Sequence, residues 1–388
     1  MTSFEELGIQ SDILQGLGAL GFECPTPIQE QVISCLLKKT VDLVGRAQTG
    51  TGKTAAFGIP ILQQTDASSS RTQSLILCPT RELCVQVTKD LMALAKFMPS
   101  INVLAVYGGA SIDQQINSLR RGAQIVVATP GRLHDLIRRG KIDISAIRLL
   151  VLDEADEMLQ MGFQDELNAI LAETPSTKNT LLFSATMSRA VAAIAGNYMQ
   201  NPVEITIGRG NEGAEKIDHI YYMVQARDRY PALKRVMDIN PDIYAIVFCR
   251  TRLECKDVAD KLIQDGYSAD ALHGDLSQAQ RDQVMNKFRR KNLQVLVATD
   301  VAARGLDVND LSHVINYNLP DESANYTHRS GRTGRAGKTG TSIAIINLRE
   351  KFKIRDIEKR IHKKFRQERV PSGSEICEKQ MFALIETM

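Results

Sequence analysis

Hydrophobic residues along this chain come in two alternating rhythms. Short runs rich in Val, Ile and Leu recur: VDLVG (41–45), SLILC (74–78), INVLAVY (101–107), QIVVAT (124–129), RLLVLD (148–153), NTLLFSA (179–185) and VEITI (203–207). Longer stretches lie between them, such as RELCVQVTKDLMALAKF (81–97), where apolar positions fall at helical spacing. Strands that are apolar on both faces and separated by helices build a parallel sheet covered on two sides. A polar, glycine-rich segment, GRGNEGAEK (208–216), then interrupts the rhythm. Beyond it the alternation resumes with HIYYMV (219–224), AIVFC (245–249), ADALH (269–273), QVLVAT (294–299), HVINY (313–317) and TSIAIIN (341–347). The pattern predicts an α/β protein with two sheets: one domain over 1–207, a linker over 208–216 and a second domain over 217–365. Residues 366–388, including PSGSEICEKQ (371–380), read as the start of a C-terminal extension, which could be truncated.

A length of 388 residues agrees with two domains, since one hydrophobic core seldom organises so long a chain. Apolar residues make up 43% and charged residues 24%, as in ordinary globular proteins. No apolar run approaches the roughly 20 residues that cross a bilayer, and the opening MTSFEELGIQ is too acidic for a targeting signal. Seven cysteines are scattered without a CxxC pair, which points to reduced thiols and a cytoplasmic location. Charge is uneven. Residues 1–205 hold 17 Lys/Arg against 20 Asp/Glu, whereas the remainder holds 31 against 25, so the second half could attract a polyanion.

Chemistry concentrates where strands end. AQTGTGKT (47–54) follows the first strand and has the form of a phosphate-binding loop with alanine in its first position. Gly50 and Gly52 let the backbone curl so that Gln48, Thr49, Gly50, Thr51 and Gly52 can turn N–H groups toward phosphate oxygens. Lys53 supplies an ammonium for β- and γ-phosphates, and Thr54 a hydroxyl for Mg²⁺. VLDEADEM (151–158) ends another strand in three carboxylates. Strand carboxyl ends share one crevice in an open parallel sheet, so Asp153 is the expected Mg²⁺ partner and Glu154 the general base on the attacking water. The bland alternatives are a surface turn for the loop and a solvated helix start for the carboxylates.

VLDEAD together with AQTGTGKT resembles the DEAD-box ATP-dependent RNA helicases, bacterial cold-shock or ribosome-assembly type, over about residues 4–350. The resemblance implies two tandem RecA-like domains with ATP and Mg²⁺ as cofactors. GFECPTPIQ (21–29) resembles the adenine-reading motif, which implies that Gln29 bonds adenine with Phe4 or Phe22 stacking nearby. PTREL (79–83), Gly108–Gly109 and TPGR (129–132) resemble first-domain RNA motifs, implicating Pro79, Thr80, Arg81, Gly108, Gly109, Thr129, Pro130, Gly131 and Arg132. SAT (184–186) resembles the segment that couples nucleotide state to RNA, so Ser184 and Thr186 pair with Asp156 as coupling residues.

In the second half, VFCRT (247–251), HGDLSQAQR (273–281) and ATDVAARGLDV (298–308) resemble RNA and nucleotide motifs. They implicate Arg250, Thr251, Gly274, Thr299 and Asp300 on RNA, Arg304 in coupling and Asp307 on the ribose. HRSGRTGRAG (328–337) resembles the arginine-finger motif, with Arg332 and Arg335 on the γ-phosphate and Ser330 where many members have isoleucine. The implied partner is single-stranded or short-duplex RNA, ribosomal or otherwise structured, gripped by phosphates and 2′-hydroxyls with little base reading. No membrane is involved. An ATP-gated RNA clamp and a DNA helicase of the same superfamily are the rival functions. Individually, the arginines could be surface residues, the glycine pair a turn, and Thr129 and Thr299 simple helix caps.

Overall fold

The computed structural model describes residues 2–46, 52–206, 217–304, 306, 308, 311–334 and 339–386. The sequence-expected linker, Gln48 to Thr51, Asp307 and Arg335 lie outside them. The chain divides into two compact units, Met1–Gly208 and Arg209–Met388.

The first unit holds seven strands: β1 Leu43–Arg46, β2 Ser74–Leu77, β3 Val103–Val106, β4 Ile125–Ala128, β5 Leu149–Leu152, β6 Asn179–Ser184 and β7 Val203–Thr206. They pair all-parallel in the order β3-β4-β2-β5-β6-β1-β7. Strands β2, β4 and β5 are buried along their whole length, which is why they read as unbroken apolar runs. Their side chains feed two cores, one on each face. Ile76, Val127 and Val151 face a layer with Phe57 and Leu91, while Leu77, Val126 and Leu150 face one with Leu133 and Ile170.

The second unit repeats the plan. Its strands are β8 Ile217–Met223, β9 Ala245–Cys249, β10 Ala269–Leu272, β11 Val295–Thr299, β12 His313–Asn316, β13 Gly340–Ile346 and β14 Arg366–Glu368. Their order, β10-β11-β9-β12-β13-β8-β14, is that of the first sheet with every strand number raised by seven. Helical spacing and buried apolar runs therefore predict thirteen of these fourteen strands in place. The exception is β14. Its residues are polar and exposed or half-buried, so it carries no apolar signal, yet it pairs with β8 as β7 pairs with β1. The segment expected to begin an extension is thus in part the edge strand of the second sheet. The helix Gly373–Glu386 follows it, and Gln380 Nε2 donates to the Asp238 carbonyl at 3.0 Å.

Candidate functional site

In the first unit the strand order sorts the motifs into two groups. Strands β5, β6 and β1 are neighbours, and their carboxyl ends carry DEAD, SAT and the phosphate-binding loop. Strands β3, β4 and β2 are also neighbours, and theirs carry the glycine pair, TPGR and PTREL. One side of the sheet therefore gathers the segments expected to bind nucleotide and the other those expected to bind RNA, along the carboxyl ends where such sheets bind ligands.

Within the first group, Lys53 opens the helix Lys53–Gln64 and its Nζ lies 3.8 Å from Asp153 Oδ1. Both are buried, at 7% and 3% exposure. Burial pushes the Asp153 carboxyl above its ordinary range, and the Lys53 ammonium pulls it back. Asp153 Oδ1 also accepts from the Glu154 N–H at 3.0 Å. Glu154 itself is left-handed, φ 52° and ψ 50°, a conformation that costs a non-glycine residue roughly 1–2 kcal/mol. The backbone there turns from strand to the helix Ala155–Gln160. Strain of this kind gathers at functional sites.

Asp156 meets the SAT segment directly. Its Oδ2 accepts from both the Thr186 N–H at 2.9 Å and the Thr186 hydroxyl at 2.8 Å. Ser184 Oγ donates to the Thr186 carbonyl at 2.6 Å, which fixes the bend after β6. The donor set fits Mg²⁺: the Thr54 hydroxyl and Asp153 carboxylate are hard oxygen ligands, and Mg²⁺ usually takes one or two protein carboxylates beside substrate phosphates.

Gln29 is fully buried at the start of the helix Pro27–Lys38. Its Oε1 accepts from the Thr26 N–H at 2.9 Å, and its Nε2 donates to the Gly52 carbonyl at 3.1 Å. Gly52 has φ 88°, and a Cβ there would sit 2.4 Å from Gln29 Nε2. Glycine at 52 is thus required both for the turn and for the amide lying against it. Phe4 is 4% exposed and belongs to the core, whereas Phe22 is 38% exposed, with ring centroids 6.3 Å apart, edge to face. Of the two aromatics, Phe22 is the one that offers a ring face.

In the second group, Arg81 follows Thr80, whose hydroxyl accepts from the Leu83 N–H at 3.2 Å and caps the helix Arg81–Leu94. A Cβ at Gly109, φ 86°, would fall 2.1 Å from Arg81 Nη1. The glycine pair is a turn and at the same time the space the guanidinium occupies. Arg132, in the helix Pro130–Arg138, donates from Nη1 to Gln115 Oε1 at 3.0 Å and to the Ala110 carbonyl at 3.3 Å. Gln115, 6% exposed, donates in turn to the Tyr107 carbonyl at 2.9 Å. It ties the glycine turn to TPGR, and sequence reasoning missed it, since a lone glutamine inside a helix carries no motif. Thr129 makes no side-chain capping bond, so its hydroxyl is not spent on the helix. If Gln115 aims Arg132, Gln115→Ala is expected to weaken RNA affinity about tenfold, the loss of one charge-assisted hydrogen bond, with the RNA-free ATPase unchanged. RNA titration of the ATPase checks this.

The second unit places the segments expected to bind RNA after β10, β11 and β9, again neighbours. CRTRLEC (249–255) repeats the CPTRELC (78–84) of the first unit in its cysteines, threonine and arginine. Thr251 caps its helix as Thr80 does, accepting from the Glu254 N–H at 3.1 Å. Cys84 and Cys255 bond the equivalent carbonyls of Val127 and Val297, each at 3.1 Å, and burial pushes both thiols up to about 12. The Arg250 N–H donates to Asn318 Oδ1 at 3.0 Å. Gly274 sits near Arg252 at ordinary contact distance, 3.6 Å for an added Cβ. Thr299 accepts from the Ala302 N–H at 3.4 Å and caps its short helix.

Asp300 is held by a residue that received no role in the sequence. Arg329 forks onto it, Nε to Oδ1 at 2.6 Å and Nη2 to Oδ2 at 2.7 Å. Arg329 Nη1 also reaches Asn316 Oδ1 at 2.9 Å and the Asn318 carbonyl at 2.7 Å, and the guanidinium lies 4.8 Å over the Phe248 ring. Arg332, 8% exposed, donates to the Leu306 carbonyl at 2.6 Å. The Ser330 hydroxyl bonds the Thr327 carbonyl at 3.3 Å, so the departure from isoleucine leaves no buried orphan. Arg304 is half-buried at the end of the helix Asp300–Ala303.

The DEAD/DEAH box helicase family matches residues 26–194, and the helicase conserved C-terminal domain matches residues 228–337. The ATP-dependent RNA helicase CshA of Listeria monocytogenes is 44% identical over 97% of this chain and 72% of its own length. The chain belongs to the DEAD-box ATP-dependent RNA helicases. The CshA of Bacillus subtilis is 41% identical over 100% of this chain and 78% of its own. Among solved structures, S. cerevisiae Dbp5 bound to RNA and ADP BeF3 matches with TM-score 0.88 and 30% identity, covering 99% of this chain and 100% of that one. Mss116 bound to ssRNA and UDP-BeF matches with TM-score 0.84 and 28% identity, over 98% of this chain and 83% of that one. The expected bacterial DEAD-box relationship and the tandem RecA-like fold agree with these likenesses. Among the described residues no helix is long and apolar enough to cross a membrane.

Proposed function

We propose that this DEAD-box helicase binds ATP at the carboxyl ends of β1, β5 and β6 and single-stranded RNA at those of β3, β4 and β2, with the second unit supplying matching motifs. The observation that carries the assignment is Lys53 at 3.8 Å from Asp153, with Glu154 next in the chain. Lys53 holds the β- and γ-phosphates, and Gln29 and Phe22 hold the adenine. Thr54 and Asp153 hold Mg²⁺, which when bound neutralises charge on the transferring phosphoryl group. Glu154 takes the proton from the attacking water. Arg332 and Arg335 stabilise the charge that spreads over the phosphoryl oxygens, as delocalised guanidinium groups do.

RNA is gripped by its phosphates and 2′-hydroxyls through Arg81, Arg132, Arg250 and the helix starts at Thr80, Thr129, Thr251 and Thr299. The Asp156–Thr186 pair ties the DEAD carboxylates to the bend after β6, and Asp156, Ser184, Thr186 and Arg304 couple the nucleotide state to RNA. ATP and RNA each favour the same bound arrangement, and each raises affinity for the other. Turnover then separates short duplexes locally in the cytoplasm, on ribosomal or other structured RNA.

The direct test is the ATPase rate without nucleic acid, with RNA and with DNA of one sequence. RNA alone is expected to raise it by an order of magnitude or more. Equal stimulation by DNA would overturn the choice of RNA, and no stimulation by either would remove the coupling.

A further inference from the structure

The second sheet has a basic cleft at the edge its RNA motifs do not use. Between residues 351 and 369 there are nine Lys/Arg and three Asp/Glu, a net charge of +6, twice that of the whole chain. The helix Lys351–Ile361 buries Ile354, Ile357 and Ile361 against the unit and turns its charged residues outward. It ends at His362, left-handed with φ 53°, and that turn brings the following lysines back beside the helix. The result is a cleft of about 450 Å³ lined by Arg355, Glu358, Lys359, His362, Lys363 and Lys364.

The single acid in the lining does not neutralise it. Glu358 Oε1 accepts from the Phe365 N–H at 2.9 Å, so that carboxylate anchors the turn, with Lys364 Nζ at 3.3 Å from Oε2. Cations near a helix carboxyl end are often no more than caps for its carbonyls. That accounts for Lys359 in the last turn, and the Glu358 carboxylate accounts for Lys364, but neither accounts for Arg355 one turn earlier. Like charges gathered round a concavity repel one another unless an anion joins them.

We propose that this cleft is a second RNA site, which takes backbone phosphates of the strand or duplex flanking the tract held by the core motifs. The choice of RNA rests on the family assignment and on the charge, and phosphate oxygens are the anions an RNA helicase always meets. The position makes the site additional. The cleft comes just before β14, at the amino ends of the parallel strands, whereas the RNA motifs follow the carboxyl ends of β9, β10 and β11. Strand β14 is also four strands from β9, roughly 19 Å at the usual spacing. One core-bound tract of a few nucleotides does not cover both, so the cleft adds affinity only for RNA long enough to reach it.

The test uses the full chain and two RNAs, one of about six nucleotides and one carrying the same six flanked by a duplex of about twenty pairs. Arg355, Lys359 and Lys364 are all exposed, so R355Q/K359Q/K364Q is expected to fold as the parent does. Its affinity for the flanked RNA is expected to fall about tenfold at low salt. The slope of log affinity against log salt should drop by about 3, from three lost contacts to duplex phosphates. Affinity for the six-mer and RNA-free ATPase should not change, and K359R/K364R should bind as the parent. Equal losses on both RNAs would mean that the residues act through the core, and no loss on either would mean a solvated surface. Either result overturns the site. RNA stimulation of the parent ATPase reports separately on the core assignment.

Discussion

Glu154→Gln is expected to lower RNA-stimulated ATP turnover by about 10³-fold, the range general-base groups supply, while ATP and RNA binding stay near the parent values. Glutamine keeps the size and the hydrogen-bonding reach of glutamate but cannot accept a proton. The left-handed backbone at φ 52° strains either residue alike, so the turn into the helix Ala155–Gln160 should survive the change. Asp153 still accepts the backbone N–H of residue 154, and its 3.8 Å approach to Lys53 does not involve the altered side chain. Single-turnover hydrolysis separates the two quantities. A variant that hydrolyses at the parent rate would take Glu154 out of the base role.

Arg329→Met is expected to destabilise the second unit by about 3 kcal/mol, the lower end of what breaking a buried ion pair costs. The guanidinium is 3% exposed and satisfies Asp300, Asn316 and the Asn318 carbonyl at once. Methionine fills much of the volume over Phe248 but leaves those acceptors unpaired. The Asp300 side chain is 30% exposed, so water relieves part of the penalty, which sets the estimate at the low end. Urea denaturation followed by near-ultraviolet signals of Tyr residues measures it, and an unchanged midpoint would show the network to be dispensable. Because the fork occupies both oxygens of Asp300, an RNA contact at this residue would have to share a carboxylate already committed to Arg329.

Much of the site was legible because its residues are consecutive. The phosphate-binding loop, DEAD, SAT and the arginine motif each pack their chemistry into a few neighbouring positions after a strand, and a strand followed by a helix is readable from apolar spacing. What escaped has its partners far apart in sequence. Gln115 and Arg132 are 17 residues apart, and Arg329 and Asp300 are 29 apart. No local pattern announces such a pair. Arg329 stood inside a recognised motif, yet nothing in HRSGRTGRAG says which arginine turns inward. The same limit hid β14, whose polar residues join the sheet only because β8 leaves an edge to pair with.

Periodicity and short motifs by themselves determined the class of fold, the two-unit layout and the strand ends after which the motif segments fall. Buried parallel strands must be apolar on both faces, and phosphate chemistry needs its glycines and lysine at fixed spacing. Tertiary structure alone decided which distant groups meet one another: Gly109 as room for Arg81, Gln29 against Gly52, Asp300 under Arg329, and a basic cleft closed by the turn at His362. Those outcomes depend on strand order and on packing between distant segments. Burial then makes each polar group find a partner wherever the fold happens to place one.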